Sequence, residues 1–94
     1  MSLFIVRVEL HGAVYNSDYD ILHTAMANAG FNRIITADNG KKYFLPTAEY
    51  VMSSNTTRSQ ILSLAKNAAA MTGKTFGVLV VEGGCTWEGL DPVK

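Results

Sequence analysis

The sequence predicts an α+β fold in a single domain, residues 1–94. Apolar residues alternate strictly in residues 3–11, and residues 75–82 are apolar on both faces; both patterns are typical of strands. Two intervening segments repeat apolar residues at helical spacing, and turn-forming residues separate the elements. The resulting order, β-α-β-β-α-β, predicts a ferredoxin-like sandwich, in which a four-stranded antiparallel sheet of order 4-1-3-2 carries two helices on one face. The first and last strands are expected to be adjacent, and we expect that pair to be parallel.

The first predicted strand, residues 3–11, has two chemically different faces. One face carries Phe4, Val6, Val8 and Leu10. The other carries Ile5, Arg7, Glu9 and His11. Because successive side chains of a strand point to opposite faces, the first set is expected to pack against the helices. The second set is where we expect a chemical site.

A loop over residues 12–16 leads to the first predicted helix. Ser17 is a suitable N-cap, and acidic residues follow in the first turn, where the helix dipole favours them. Gly30 is expected to end this helix.

The next segment predicts a hairpin with strands at residues 31–36 and 41–45. Asp38-Asn39-Gly40 forms the turn between them, because Asn and Gly accept positive φ at low cost. Pro46 is expected to mark a bulge or an edge, after which the same strand continues to Met52.

The last third of the chain predicts a helix and a final strand. Thr57 and Gln60 fit a capping box at the start of the helix, and Gly73 ends it. Residues 75–82 form the last strand, and the tail is expected to add a short fifth strand or to lie across a partner.

Only one face of the predicted sheet is covered by helices. The predicted helix-side core comprises Phe4, Val6, Val8, Leu22, Met26, Ile61, Leu64, Ala65, Phe76, Val78 and Val80. The open face is expected to carry Ile5, Tyr43, Leu79 and Val81. An exposed apolar face of this size usually binds a partner, and a second copy of the chain is the simplest one. Trp87 has no obvious place in so small a core and is expected to be buried, at least partly, in this homodimer.

Composition indicates an ordinary folded protein, with 48% hydrophobic and 17% charged residues. The formal net charge is zero, which argues against non-specific nucleic-acid binding. The single cysteine, Cys85, cannot form an internal disulfide, which fits a reducing compartment. The sequence lacks both a membrane-spanning apolar run and a secretory leader, so we expect a cytoplasmic protein with no membrane contact.

Two residues are candidates for catalysis. Glu9, beside Arg7 and His11, is suited to metal binding or acid–base chemistry; the alternative is an exposed charge pair near the end of the sheet. A two-fold axis through the open faces would bring two copies of Glu9 together around a cation. His23 follows Asp20 by three residues, so an ion pair is expected to raise its pKa toward neutrality. The alternative for His23 is an ordinary surface histidine.

Basic and aromatic residues suggest where RNA would bind. The candidate RNA-binding residues are Arg7, Arg33, Lys41, Lys42, Tyr43 and Arg58. Tyr43 and its aromatic neighbours Phe44 and Tyr50 can stack on bases, although core and interface roles are the alternative for Phe44 and Tyr50.

Short pieces of the chain between residues 4 and 70 resemble GhoS, the endoribonuclease antitoxin family of type V toxin–antitoxin systems. The matching pieces are Val6-Arg-Val-Glu9, Leu22-x-x-x-Met26-x-x-x-Gly30-Phe31, Ile35-x-x-Asp38-x-Gly40, Leu45-Pro46-x-x-x-Tyr50 and Ser53-Ser54. The resemblance implies a ferredoxin-like fold, similar to the small CRISPR-associated dimeric nucleases, and cleavage of the messenger RNA of a membrane toxin.

The resemblance also relates the two candidate catalytic residues to positions in the family. Glu9 falls where these families often have an acidic residue at the end of the first strand. His23 falls where GhoS has an arginine that is implicated in its activity. An imidazole transfers protons, which arginine does poorly, so this change implies a different mechanism.

Together with the fold, the resemblance implies a small RNA-directed homodimer, an endoribonuclease antitoxin in which Glu9 and His23 are the candidate catalytic residues. The alternative is a non-catalytic ferredoxin-like module for dimerisation or regulation. The cofactor is left open, since no Cys/His metal pattern is present.

Overall fold

The computed structural model describes residues 1–12 and 15–94. Its strands and helices are β1 (Ser2–Leu10), α1 (Asn16–Asn28), β2 (Ile34–Thr36), β3 (Lys42–Phe44), β4 (Glu49–Ser54), α2 (Arg58–Ala69), with a 3-10 turn at Ala70–Thr72, and β5 (Phe76–Glu82). The order of the described elements is thus β-α-β-β-β-α-β, with one strand more than predicted. Residues 13 and 14 of the predicted loop lie outside the described residues.

The extra strand arises because the predicted third strand is divided at Pro46. The backbone N–H of Glu49 donates to the Pro46 carbonyl at 3.0 Å, which closes a turn. Ala48 within this turn has a φ of 70°, a left-handed conformation that no continuous strand contains. The chain therefore changes direction, and β3 and β4 belong to different sheets.

The central sheet has three strands in the order β4-β1-β5, and both pairings are antiparallel. The first and last strands are adjacent, as predicted, but the prediction that they are parallel is wrong. Phe4 lies opposite Glu82, and Leu10 lies opposite Phe76. The physical reason is that α2 carries the chain back across the sheet, so β4 and β5 run parallel to each other with β1 antiparallel between them.

The predicted four-stranded sheet is divided into two sheets. β2 and β3 form a separate hairpin, with Ile35 opposite Tyr43. An isolated bridge joins residue Asn32 to Val51 of β4, where the two residues exchange backbone hydrogen bonds of 2.8 and 2.7 Å. Thus the chain pairs with β4 at a single residue and then turns away into the hairpin.

Both helices pack on one face of the central sheet, as predicted. The buried residues of this core are Phe4, Val6, Val8, Leu10, Leu22, Met26, Phe31, Tyr50, Ile61, Ala65, Ala68 and Ala69. Phe76, Val78 and Val80 are only partly buried against it, because β5 is an edge strand.

Leu64 was expected in the core, and this prediction is wrong, because 42% of the residue is exposed. The buried stripe of α2 comprises Ile61, Ala65, Ala68 and Ala69. At 100° per residue, Leu64 lies about 85° from the centre of that stripe. Small alanines fill the interface with the sheet, and the larger leucine is left on the flank.

The opposite face of the sheet is partly covered by the chain itself, not open as predicted. Ile35, Leu45 and Val51 are buried there, and Leu3, Ile5, Tyr43, Trp87 and Leu90 pack around them. The tail after β5 pairs with β3 only through an isolated bridge between Tyr43 and Pro92. The additional strand that the sequence allowed for the tail does not form within its described residues. Leu79 and Val81 remain 61% and 48% exposed.

Trp87 therefore has a place within its own chain. Its ring meets that of Tyr43 edge-on, with 5.7 Å between the ring centroids. The sequence did not predict this intramolecular contact, which leaves Trp87 partly buried in its own chain.

Most of the predicted turns and caps are present in the structure. The Thr57 hydroxyl accepts the Gln60 N–H at 3.2 Å, and Ala37 and Lys41 close the predicted hairpin turn with a 2.8 Å bond. The N-cap of α1 is Tyr15 instead of Ser17, because the Asp18 carboxylate reaches back to the Tyr15 N–H at 2.9 Å. Among the described helices, none is sufficiently long and apolar to cross a membrane.

Candidate functional site

The two predicted catalytic residues lie on opposite faces of the central sheet. Glu9 alternates with Val8 and Leu10, whose side chains are in the helix-side core, so the Glu9 side chain points away from the helices. His23 lies on α1 and contacts Tyr50 within the helix-side core. The two residues therefore belong to separate sites, and one chain does not combine them.

His23 is the centre of a compact cluster of aromatic and cationic side chains. Its Nδ1 lies 2.6 Å from the hydroxyl of Tyr50, which is 0% exposed. The ring of Tyr19, one helical turn earlier, lies 6.4 Å from the imidazole ring, and the Tyr50 ring lies 5.8 Å from it. Arg33 is close enough to act electrostatically on both His23 and Tyr50. We call these four residues the His23 cluster.

Burial sets the protonation state of the cluster. The pKa of His23 is lowered from its ordinary value, first by burial and then by the Arg33 guanidinium, and Asp20 opposes both. The predicted rise in the pKa of His23 is therefore wrong: Asp20 acts in the expected direction but is outweighed. Burial also raises the pKa of Tyr50 to about 12. At neutral pH the imidazole is neutral and the phenol keeps its proton.

The hydrogen bond between these two neutral groups determines which imidazole nitrogen carries the proton. If the Tyr50 O–H donates to Nδ1, the proton of His23 is on Nε2; if Nδ1–H donates to the phenol oxygen, Nε2 is a free base. His23 is the hydrogen-bond partner of the buried Tyr50 hydroxyl, and a buried donor left without an acceptor costs about 1–3 kcal/mol. The resting tautomer is therefore the one in which Tyr50 donates to Nδ1 and Nε2 carries the proton. The tautomer with a free Nε2 is the minor one.

Arg33 supplies the positive charge of the cluster. Its Nε is buried and has no hydrogen-bond partner among the described residues. No carboxylate in the described part of the chain lies within 4.0 Å of it, whereas Arg7 and Arg58 each pair with a glutamate. The positive charge of Arg33 thus acts on the imidazole, and among the described residues no carboxylate is paired with this guanidinium.

Glu9 lies in an exposed network of charges at the end of β1. Its carboxylate is 3.5 Å from Nδ1 of His11, and Arg7 pairs with Glu49 at 3.7 Å. These contacts match the charge-pair alternative that the sequence left open for Glu9. Within residues 1–12 and 15–94, no three or more His, Cys, Asp or Glu residues come together as a possible metal site.

The other predicted RNA-binding residues are distributed over the molecule. Arg33 lies at the base of the hairpin, opposite Leu45, and Lys42 is opposite Thr36 near its tip. Arg33 is three residues before Thr36, so the backbone positions of Arg33 and Lys42 are at least about 10 Å apart along the hairpin. Arg58, at the start of α2, lies 3.8 Å from Glu82 of β5. The structure therefore does not bring all six residues into one patch.

Sequence reasoning missed the tyrosines of the His23 cluster. For Tyr50 the sequence left base stacking and a core or interface role open; the structure places it in the core, and its hydroxyl also holds the imidazole. The two residues are 27 positions apart, and no spacing rule links residues across that distance. The expected spacing signal was present only for Tyr19, four residues before His23 on the same helix.

A cleft of about 770 Å³ lies on the other side of the molecule, between the hairpin and the tail. Its polar lining includes Asn32, Asp38, Ser53 and Cys85. None of the four residues of the His23 cluster lines it. The cleft and the cluster are therefore distinct features.

Neither protein-family models nor curated proteins gave a match to this chain.

Proposed function

We propose that the protein is a small ferredoxin-like endoribonuclease of the GhoS antitoxin type, which works as a homodimer and cleaves the messenger RNA of a toxin. The observation that carries the proposal is the His23 cluster: a neutral imidazole, hydrogen-bonded to Tyr50 through Nδ1, is subject to the positive charge of Arg33, which has no paired carboxylate among the described residues. Metal-independent RNA cleavage requires a base for the ribose 2′-hydroxyl and a positive charge for the phosphate.

The chemistry assigned to His23 is proton abstraction at Nε2. When the Nδ1–H donates to Tyr50, the Nε2 lone pair takes the proton of the 2′-hydroxyl, and the resulting oxygen attacks the adjacent phosphorus. The bond from phosphorus to the 5′-oxygen breaks, and that oxygen takes a proton from water. The products are a 2′,3′-cyclic phosphate and a 5′-hydroxyl. Arg33 stabilises the negative charge that develops on the phosphate oxygens.

The resemblance to GhoS supports a shared fold more than a shared site. Its matched residues Leu22, Met26, Phe31 and Tyr50 are all buried in the helix-side core, and Gly30 and Gly40 have positive φ at turns. Residues of this kind determine packing and chain reversal. The chemical assignment therefore depends on the His23 cluster itself.

A four-stranded ferredoxin-like sheet is part of the proposal. The single bridge between Asn32 and Val51 supports this part of the proposal, because it lies at the outer edge of β4, where the second strand of order 4-1-3-2 would pair. Extension of this bridge by a few residues would complete the sheet.

A second candidate function is a non-catalytic module for dimerisation or regulation. The specific observation in its favour is the exposure of Leu79 and Val81 on an edge strand of a chain with zero net charge. Such a surface suits self-association and contributes nothing to RNA affinity.

The test is cleavage of a labelled, random-sequence single-stranded RNA pool by the purified protein. The chain offers a matched control, because its two histidines lie on opposite faces of the sheet. His23→Ala should slow cleavage by about 10²–10⁴-fold, the usual contribution of a general base. His11→Ala should leave the rate unchanged, and the same sequence as DNA should not be cut.

Fragments that end in 2′,3′-cyclic phosphate would agree with the assigned step. If the wild-type protein leaves every RNA intact, the ribonuclease proposal is refuted and the non-catalytic module for dimerisation or regulation becomes the better account. RNA cleavage that persists in His23→Ala would confirm the ribonuclease activity but refute the His23 cluster as its site.

A further inference from the structure

The outer edge of β5 has no partner among the described residues. β5, Phe76–Glu82, pairs with β1 along one edge only, and it ends the sheet order β4-β1-β5. The N–H and C=O groups of the other edge are therefore directed away from the sheet. An unpaired edge of this length is a template for pairing with another strand.

The alternation of the β1–β5 ladder identifies which backbone groups face outward. The Gly83 N–H donates to the Leu3 carbonyl, and the His11 N–H donates to the Thr75 carbonyl, both at 2.9 Å. In an antiparallel pair, hydrogen-bonded positions recur at every second residue. Residues 77, 79 and 81 therefore bond to β1, and residues 76, 78, 80 and 82 present their backbone groups to the free edge.

The side chains of β5 do not protect this edge. Natural edge strands usually carry Pro, Lys or another charge that discourages pairing. β5 contains neither Pro nor Lys, and its one charged residue is the last, Glu82. Leu79, at the middle of the strand, is 61% exposed, and Val81 is 48% exposed on the same face.

We propose that β5 pairs antiparallel with β5 of a second copy of the chain, about a two-fold axis at Leu79. Val78 then lies opposite Val80 of the second copy, and Phe76 lies opposite Glu82. In this register every outward-facing backbone group of residues 76, 78, 80 and 82 finds a partner. A register centred one residue away leaves residues at one end of each strand unpaired.

The strand is self-complementary in this register, which is why a second copy is the assigned occupant. Leu79 meets Leu79 of the second copy on the exposed face, and Gly77 leaves room for the branched Val81 opposite it. The two Glu82 carboxylates are held six residue steps apart, roughly 20 Å. Each is also neutralised within its own chain by Arg58 at 3.8 Å. Pairing therefore brings no like charges together.

This inference rests on the homodimer in the proposed function and names its interface. It does not depend on the chemistry assigned to His23. The same dimer determines how far apart the two Glu9 residues lie. They are three strand spacings apart across the sheet and four residue steps apart along the strands, which together give roughly 20 Å. That distance is too great for two carboxylates to share one cation, so the dimer does not support the paired-Glu9 metal site.

The first experiment measures self-association of the full chain by sedimentation velocity, without RNA. The wild type should dimerise at micromolar concentration. Leu79→Lys places two ammonium groups directly opposite each other and should weaken the dimer by at least about tenfold. Leu64→Lys is the matched control, because Leu64 is also a partly exposed leucine, at 42%, but lies on α2. It should leave the dimer unchanged.

Charge pairing tests the position of the axis. A mixture of Leu79→Lys and Leu79→Glu should recover association that neither variant has alone, because residue 79 faces itself across the axis. Dimers formed by a different surface would show no such recovery and would overturn the assignment. A wild type that stays monomeric at high micromolar concentration would also overturn it.

Hydrogen exchange separates edge pairing from face-to-face packing. The amides of residues 76, 78, 80 and 82 should gain protection as protein concentration rises, whereas those of residues 77, 79 and 81 should be protected at all concentrations. Uniform behaviour along β5 would refute the edge pairing. RNA cleavage is measured separately. A dimer that cuts no RNA would refute the proposed ribonuclease activity but not the β5 interface, and a monomer that cuts RNA would refute the interface but not the activity.

Discussion

Tyr50→Phe is the most informative single change to the His23 cluster. It deletes only the hydroxyl that lies 2.6 Å from Nδ1 of His23 and keeps the buried ring. The area buried by the ring is therefore unchanged, and the loss is confined to one neutral hydrogen bond, which contributes about 1 kcal/mol. His23 is only partly buried, so water can replace the lost partner without the full cost of an unsatisfied group.

The expected result is a fall of about 1 kcal/mol in the free energy of unfolding, or about 4–8 °C in Tm for a domain of this size. Urea denaturation followed by circular dichroism measures it. Tyr43→Phe is the matched control, because among the described residues its hydroxyl has no hydrogen-bond partner although its ring packs against Trp87. Equal stability losses in the two variants would show that the bond to His23 does not form.

The same variant tests the chemistry. In the wild type, Tyr50 holds the His23 proton on Nε2, and ¹⁵N chemical shifts of the imidazole should report that tautomer. Without the hydroxyl, the form with a free Nε2 becomes more populated, so Tyr50→Phe should retain RNA cleavage. Loss of cleavage in a folded variant would instead make Tyr50 part of the proton path and refute His23 as the sole base.

The remaining predictions concern the core, pH and metal dependence. Leu22→Ala, at a fully buried site, should cost about 2.7–5 kcal/mol in urea denaturation, whereas Leu64→Ala should cost less than about 1 kcal/mol; similar losses would show that the buried face of α2 is misassigned. Because the folded-state pKa of His23 is lowered, the unfolded state binds its proton first, so Tm should fall as pH drops below about 6.5, and His23→Gln should flatten this dependence. The rate of RNA cleavage should be constant near neutral pH and decline only below the folded-state pKa of His23, which lies below 6.5; a rate that rises on acidification would contradict the base role. Glu9→Gln and a chelator should both leave cleavage unchanged, and inhibition by both would revive a metal route.

Local sequence signals were sufficient for most of the elements. The alternation over residues 3–11 gave β1 and its two faces, since one buried face with period two leaves few other conformations. Thr57, Gly30 and the Asp38-Asn39-Gly40 turn marked boundaries correctly, because caps and turns depend on residues that are close in sequence.

The functional site was predictable only in part. His23 was identified from its residue type, but its environment was not, and the direction of its pKa shift was wrong. Asp20, three residues away, was visible in the sequence, whereas burial and Arg33 were not. A pKa is set by everything that surrounds a group in space, and only the folded chain brings those groups together.

The sequence by itself determined the α+β class, the residues of the central strand and the two helices, because periodicity and capping are local properties of the chain. Tertiary structure decided the rest. Whether residues 41–52 form one strand or two depended on the turn at Pro46 and Ala48, and the coverage of the open face depended on a tail that packs across the hairpin. The same holds for the contact between His23 and Tyr50, 27 residues apart: packing of α1 over β4 creates it, and no property of either segment alone specifies it.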